Sequence, residues 1–155
     1  MSNQVMDWLE SQQNNMLDLL GELVNIDSNS FDKTGGDRLR KKLAEFFDAQ
    51  SIPHEIIPIT THGDAMRAVV AGGNGNRPIL LCGHRDTVFP TGEVAKRPFR
   101  IENGRAYGPG VADMKPGLVI NAFILAAFQK FGGHPNPLVG LFTGDEEIGS
   151  PTSQD

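Results

Sequence analysis

A histidine and an aspartate two residues apart stand where an apolar run gives way to polar residues. The stretch is LCGHRDTVFP, residues 81–90, and the pair is His84 and Asp86. If the chain stays extended past Cys82, residues two apart project to the same side, so the imidazole and the carboxylate face a common cavity. Neutral imidazole is a good zinc ligand, and a nearby carboxylate commonly fixes its orientation. The pattern also fits a polar strand end at which the histidine is satisfied by its neighbour, so the pair alone leaves both interpretations open.

A second carboxylate, Asp113, lies in the glycine-rich stretch GPGVADMKPGLV, residues 108–119. Pro116 suits an early helical position, so Asp113 could simply cap the helix or interact with its dipole. The glycines also permit unusual backbone geometry, and one carboxylate with two oxygens can bridge two metal ions. The motif by itself does not decide between a cap and a ligand.

Two adjacent carboxylates, Glu146 and Glu147, follow the apolar run LVGLFT. Adjacent side chains of an extended segment diverge, so one carboxylate could bind a metal while the other acts on its water as a general base. An exposed acidic turn is the alternative. Their position beside an apolar run, which must lie deep in a small domain, favours the functional interpretation.

The elements that position these residues follow from the spacing of apolar side chains. A helical spacing with one polar interruption runs over 4–25, and it recurs over 37–50 after a possible cap at Asp37. Residues 117–131 are apolar on nearly all sides, which predicts a helix buried over most of its surface.

Short aliphatic and β-branched runs at 54–59, 66–72 and 78–83 predict strands, and the GGNGN connection at 72–76 predicts a hairpin between the last two. FRIENGRAYG offers a weak strand pair, and LVGLFTGDEEIGS predicts a buried strand that ends in an acidic turn. Strands that alternate with helices indicate an α/β fold whose mixed, partly parallel sheet is flanked by helices.

The composition and charge of the chain favour one globular domain and argue against a nucleic-acid-binding protein. A chain of 155 residues with 39% hydrophobic and 21% charged residues is typical of one globular domain. The net charge of −5 argues against nucleic-acid binding, because no Lys/Arg stripe is available; RLRKK at 38–42 is interpreted as a solvated helix face. Cys82 is the only cysteine and is expected to be a small buried side chain in a reducing compartment. No signal peptide or membrane span is apparent, which makes the cytoplasm the expected location.

Taken together, GHRDTV, YGPGVADMKPG and LFTGDEEIGS resemble, in order and spacing, the signature of a zinc exopeptidase family. That family includes carboxypeptidase G, acetylornithine deacetylase, succinyl-diaminopimelate desuccinylase and the aminoacylases. VFPTGEVAKRPFRIENGRAYGPG, residues 88–110, is most similar to the glutamate carboxypeptidase branch. The resemblance implies hydrolysis of an amide or peptide bond next to a free carboxylate, with an acyl-amino acid or a peptide as the substrate.

The resemblance also implies a role for each site residue. His84 would bind a first metal ion, Asp113 would bridge two ions and Glu147 would bind the second. Glu146 would be the general base, and Asp86 would be the catalytic aspartate that supports His84. The implied cofactor is a pair of zinc ions, although cobalt and manganese suit the same ligands. The peptide bond between Asp113 and Met114 is expected to be cis.

The chain departs from the family in its length and at two positions. Arg85 stands where many relatives have methionine, and Pro116 stands where glycine is common. Relatives continue into a lid and dimerisation domain and then complete the catalytic domain, so residues 1–155 are expected to be its N-terminal portion, without those parts. The alternative function is a non-catalytic remnant that binds metal or a partner, or self-associates through the surface exposed by truncation.

Overall fold

In a computed structural model of the chain, which describes residues 2–74 and 77–153, four strands form one sheet. These strands are β1 (His54–Ile57), β2 (Ala65–Val70), β3 (Ile79–His84) and β6 (Leu138–Thr143), in the spatial order β1-β2-β6-β3. β1 and β2 are antiparallel, as are β2 and β6, whereas β3 runs parallel to β6. The predicted mixed, partly parallel sheet is therefore confirmed.

The predicted hairpin between β2 and β3 is wrong, because β6 lies between these two strands. Val69 of β2 and Leu80 of β3 are both paired with Val139 of β6, on opposite sides of that strand. β6 is apolar along most of its length, so a central position in the sheet shields it on both edges. Two residues of the GGNGN connection, at 75 and 76, lie outside the described residues.

The weak strand pair is confirmed as a separate two-stranded hairpin of β4 (Arg100–Glu102) and β5 (Arg105–Tyr107). Asn103 and Gly104 form its turn with φ values of 50° and 72°. Positive φ at both central residues is characteristic of the type I′ turn that suits the twist of a hairpin.

The helices alternate with the strands along the chain. The helical run predicted over 4–25 is confirmed in type but is interrupted at Gln12, close to the polar interruption in the sequence. The buried helix predicted over 117–131 begins two residues earlier, and Pro116 occupies its first turn. The helices are α1 (Ser2–Ser11), α2 (Gln13–Val24), α3 (Lys33–Ala49), α4 (Glu93–Lys96) and α5 (Lys115–Lys130).

The N-terminus of α3 differs from the expectation. Asp32, not Asp37, is the N-cap, and its side chain accepts a 2.9 Å hydrogen bond from the backbone N–H of Gly35. Gly35 and Gly36 lie inside the first turns of α3, and a Cβ on Gly35 would lie 2.2 Å from the carbonyl oxygen of Asp27. Close packing selects glycine here at some cost in helix propensity.

The core lies between the helices and the sheet. Its fully buried members come from α2, α3, α5, β2 and β6 and include Leu23, Leu43, Met66, Leu118 and Phe142. Among the described helices, none is long and apolar enough to cross a membrane.

Within the described residues, β3 is an edge strand of the sheet, and Ile79 and Leu80 expose 41% and 54% of their surface. Cys82 on the same strand is exposed, so the expectation that it is buried is wrong. On an edge strand, a side chain that points away from the helices has neighbours from only one adjacent strand and stays exposed. An apolar run in the sequence does not show whether its strand lies at the edge or at the centre of the sheet.

Candidate metal centre

The candidate site lies where β3 and β6 end. These strands are parallel and pair His84 with Thr143, so the chain that follows β3 and the chain that follows β6 leave the sheet at the same edge. The carboxyl ends of parallel strands are the usual place for ligand sites in α/β sheets. This topology brings His84 and Asp86 next to Glu146 and Glu147.

His84 is buried and is contacted on both ring nitrogens. Nδ1 lies 3.1 Å from the backbone oxygen of Asp86 and 3.4 Å from its Oδ1. Nε2 lies 3.0 Å from Oδ1 of Asp113 and 3.6 Å from Oε2 of Glu146. Asp86 therefore orients the ring through its contacts with Nδ1, and Nε2 faces carboxylates from two other segments.

Asp113 points towards His84 and does not cap α5. Met114 is the N-cap residue of this helix, and no side-chain capping hydrogen bond is formed there. The Asp113–Met114 peptide bond is cis, as the resemblance implies. The Asp113 side chain is 74% exposed, so its carboxylate lines an open cleft. This geometry favours the ligand interpretation of Asp113 over the cap.

Glu146 and Glu147 lie in a 3₁₀ helix, Glu146–Ile148, so the acidic turn predicted after the strand is confirmed, whereas the extended segment from which the two side chains would diverge is not found. Asp86 is the physical reason, since its two carboxylate oxygens accept hydrogen bonds from the backbone N–H of Glu146 (3.1 Å) and of Glu147 (3.0 Å). One buried carboxylate thereby fixes the start of the turn that carries both glutamates.

Three side chains converge closely enough to share one ion. His84, Asp113 and Glu147 each offer one ligand atom, and these atoms lie within 4.8 Å of one another. One imidazole nitrogen and two carboxylate oxygens suit zinc, cobalt or manganese. The donor set present therefore fits a divalent metal ion, and Glu146 is placed beside it.

The site contains more carboxylates than basic groups, and this excess of negative charge favours a bound cation. Burial opposes protonation of His84, but Asp86, Asp113 and Glu146 outweigh it and raise its pKa to about 9. Burial, followed by the negative charge of Asp113, raises the pKa of Glu147. Burial also acts to raise the pKa of Asp86, yet hydrogen bonds from His84, Ser30 and the two glutamate amides lower it. A metal ion would have to displace the proton from His84 and would relieve the repulsion among the carboxylates.

Two clefts adjoin the convergent group. One, of about 360 Å³, is lined by Cys82, His84, Met114 and Glu146 among others. The other, of about 320 Å³, includes Val88, Phe89, Val111 and the carboxylates of Asp113 and Glu147. The candidate ligands thus face open space on two sides, which gives room for a bound substrate.

Sequence reasoning missed Ser30, whose buried hydroxyl donates a 2.7 Å hydrogen bond to Oδ2 of Asp86. These two residues are 56 positions apart, and the segment around Ser30 carries only the pattern of a polar loop. No signal in the sequence pairs the two.

Two fully buried cations next to the site residues were also missed. Lys115 donates to the carbonyl oxygens of Leu23 (3.0 Å) and Ile26 (2.8 Å), and burial lowers its pKa to about 8. A charged residue at the start of an otherwise apolar helix was the available signal.

Arg85 donates through Nη1 to the carbonyl oxygen of Gly36 (2.6 Å) and through Nη2 to that of Asp64. Burial lowers the pKa of Arg85 to about 10. Between His84 and Asp86, a cation thus faces into the protein and ties the end of β3 to the N-terminal half of the chain.

Comparison with known sequences finds a matching family profile and matching curated relatives. Residues 80–154 match the profile of Peptidase family M20/M25/M40. Carboxypeptidase G2 of Pseudomonas sp. (strain RS-16) is 42% identical over 84 residues, which are 54% of this chain and 20% of that protein. Acetylornithine deacetylase of Proteus mirabilis (strain HI4320) is 34% identical over 110 residues, 68% of this chain and 28% of that protein. The chain thus spans less than a third of the length of these curated relatives.

Solved structures share the fold. Human carnosine dipeptidase 1 matches with a TM-score of 0.82 at 17% identity, over 97% of this chain and 36% of that chain. The dipeptidase Dug1p from Saccharomyces cerevisiae matches with a TM-score of 0.77 at 19% identity, over 96% of this chain and 36% of that chain. At these identities, the likeness establishes the architecture of the described chain.

Proposed function

We propose that the chain is a member of Peptidase family M20/M25/M40, whose profile its residues 80–154 match, and that it takes part in metal-dependent hydrolysis of an amide or peptide bond. The observation that carries the proposal is the convergence of His84, Asp113 and Glu147 within 4.8 Å, with Glu146 beside them. We further propose that the chain is the N-terminal portion of a metallopeptidase catalytic domain; its coverage of 36% of each of two chains with the same fold is compatible with this proposal.

Each site residue has a proposed role. His84, Asp113 and Glu147 would hold the metal, and in a complete site Asp113 would be the ligand shared by two ions. Zinc is the proposed ion, and cobalt or manganese would suit the same donors. Asp86 orients the His84 ring through Nδ1, which is the usual task of a carboxylate behind a ligating histidine.

Glu146 is the proposed general base. When bound, the metal polarises the scissile carbonyl and lowers the pKa of water to about 7. The Glu146 carboxylate is 54% exposed in the cleft, 3.6 Å from Nε2 of His84, where it can take a proton from water and deliver it to the leaving amine.

The proposed substrate is a peptide or an N-acyl-amino acid with a free carboxylate beside the scissile bond. The similarity to proteins named carboxypeptidase G2 and acetylornithine deacetylase supports this class, because both names describe removal of a group attached through an amide bond. A glutamate side chain is the first to test, given the higher identity to the carboxypeptidase. The free thiol of Cys82 suits a reducing compartment, so we place the reaction in the cytoplasm.

The test separates metal binding from turnover. We expect calorimetric titration with Zn²⁺ to show tight binding, and hydrolysis of an N-acyl-glutamate to depend on the added metal. Glu146→Gln should retain zinc and lose at least about 100-fold in kcat, the contribution typical of a general base. Glu10→Gln in α1, far from the site in the chain, is the control for loss of one negative charge. Absence of zinc binding by the wild-type chain would contradict the proposed function.

A second function is a non-catalytic domain that binds metal or associates with a further copy. The exposed edge strand β3, with Ile79 and Leu80, favours this alternative, because an open edge can pair with another strand. Zinc binding without turnover, together with a dimer in sedimentation velocity that Leu80→Lys abolishes, would support it. A monomer at all concentrations would exclude self-association.

A further inference from the structure

The hydrogen bonds around Asp86 join three separate segments of the chain. Oδ1 accepts from the backbone N–H of Glu146, and Oδ2 accepts from the backbone N–H of Glu147 and from the hydroxyl of Ser30. Oδ1 also lies 3.4 Å from Nδ1 of His84. Only 3% of the Asp86 surface is exposed, so its charge depends on these donors for compensation.

Ser30 supplies the one side-chain hydroxyl in this set, and its own position is fixed. It is 3% exposed, and its carbonyl oxygen lies 3.0 Å from Nδ1 of His62. The neighbouring residues are tied to the segment after Asp86: Thr87 N–H donates to the carbonyl oxygen of Ser28 (2.9 Å), and Asn29 forms a parallel bridge with Thr87. The hydroxyl is therefore held against Oδ2 by a segment that runs beside the site.

From this geometry we infer that Ser30 is a positioning residue of the metal centre, acting through Asp86 on both His84 and the glutamate turn. The inference rests on the proposed function and adds a residue outside the matched segment 80–154. With the hydroxyl in place, the carboxylate plane is fixed so that one oxygen serves Glu146 and the other serves Glu147. Without it, Oδ2 keeps one donor and the carboxylate can rotate away from the glutamate amides.

Ser28 provides a matched control. It lies two residues away on the same segment and is 1% exposed, but its hydroxyl has no hydrogen-bond partner among the described residues. Ser28→Ala and Ser30→Ala remove the same atom from equally buried positions. Only the second removes a hydrogen bond to Asp86.

The experiment compares Ser30→Ala, Ser28→Ala and Ser30→Thr by titration with Zn²⁺ and by the visible spectrum of the Co²⁺-loaded chain. We expect Ser30→Ala to weaken zinc binding by about 10-fold, the lower end of effects seen for residues that orient ligands, and to alter the Co²⁺ spectrum. Ser28→Ala should match the wild type, and Ser30→Thr, which keeps the hydroxyl, should restore most of the affinity. Equal zinc affinities for both alanine variants would overturn the inference.

A second measurement does not require metal. Amide hydrogen exchange of Glu146 and Glu147 in the metal-free chain should accelerate in Ser30→Ala and stay unchanged in Ser28→Ala, because only the first loosens the carboxylate that these amides contact. Unchanged exchange in Ser30→Ala would overturn the inference even where the variant binds zinc weakly. Failure of the wild type to bind zinc would contradict the proposed function alone, and exchange would then decide the role of Ser30.

Discussion

The two halves of the candidate site are built differently. His84 and Asp86 expose only 8% and 2% of their side chains and are held by hydrogen bonds from several segments. The side chains of Asp113 and Glu146 are 74% and 54% exposed, and their carboxylates approach the buried half at Nε2 of His84. Protein hydrogen bonds organise the buried half, whereas we expect the open carboxylates to be fixed by a bound cation. Substitutions in the buried half should therefore lower the free energy of unfolding more than the metal affinity. Substitutions in the open half should lower the metal affinity more than the free energy of unfolding.

The largest effect on folding is expected for Asp86→Ala in the buried half. The change leaves two part-buried backbone N–H groups and the buried Ser30 hydroxyl without their acceptor, and an unsatisfied donor costs about 1–3 kcal/mol when it is buried. We expect the free energy of unfolding of the metal-free chain to fall by about 3–5 kcal/mol, as measured by urea denaturation in the presence of a chelator. A loss of less than about 1 kcal/mol would show that the buried half is not organised by Asp86.

Asp113→Ala tests the open half. Because the carboxylate is largely exposed, the unfolding free energy of the metal-free chain should change by less than about 0.5 kcal/mol. Zinc at about 100 times the dissociation constant should stabilise the wild type by about 2.7 kcal/mol, and Asp113→Ala should lose most of this gain. Thermal unfolding with and without zinc measures both quantities. A strong destabilisation of the metal-free variant would contradict the division of the site into two halves.

The sequence allowed some features of the site and fold to be predicted and not others. His84, Asp113 and Glu147 stand next to apolar runs, and their side chains are of the types that bind metal. Each local pattern left the ligand interpretation open, and the roles were implied by the resemblance of the three motifs, in order and spacing, to a known family. The order β2-β6-β3 was not predicted, because strand pairing is set by contacts between residues 59 to 76 positions apart and the glycine-rich connection resembled a tight turn.

Several long-range contacts near the site have no sequence pattern that identifies their partners. Ser30 reaches Asp86, and Lys115 reaches the carbonyl oxygens of Leu23 and Ile26, across long separations in the chain. Each of these partners is chosen by packing in three dimensions, whereas the open carboxylates are identified by residue type and position. Sequence patterns therefore point to candidate ligands of such a site more readily than to the residues that support them.

Asp32→Ala is expected to have a smaller effect, and it separates support of the fold from support of the metal. Asp32 caps α3 through the N–H of Gly35 and accepts a 2.7 Å hydrogen bond from the Thr91 hydroxyl. Loss of an N-cap costs about 1 kcal/mol, so the unfolding free energy at pH 7 should fall by about that amount. Zinc affinity should change by less than about twofold, because Asp32 contacts none of the proposed ligands.

The stabilisation of the fold by the Asp32 carboxylate should depend on pH. The backbone hydrogen bond from Gly35 lowers the pKa of Asp32 below its usual value of 3.8, although burial acts in the opposite direction. A lowered pKa means that the carboxylate stabilises the fold above the pKa of the unfolded chain, and that this contribution disappears as the pH falls through the lower, folded value. The difference between wild type and Asp32→Ala should therefore be full at neutral pH and shrink in acid, whereas Thr34→Ala, an exposed change in the same turn, should show no such trend. A difference that persists unchanged in acid would assign the effect to packing and not to the charged cap.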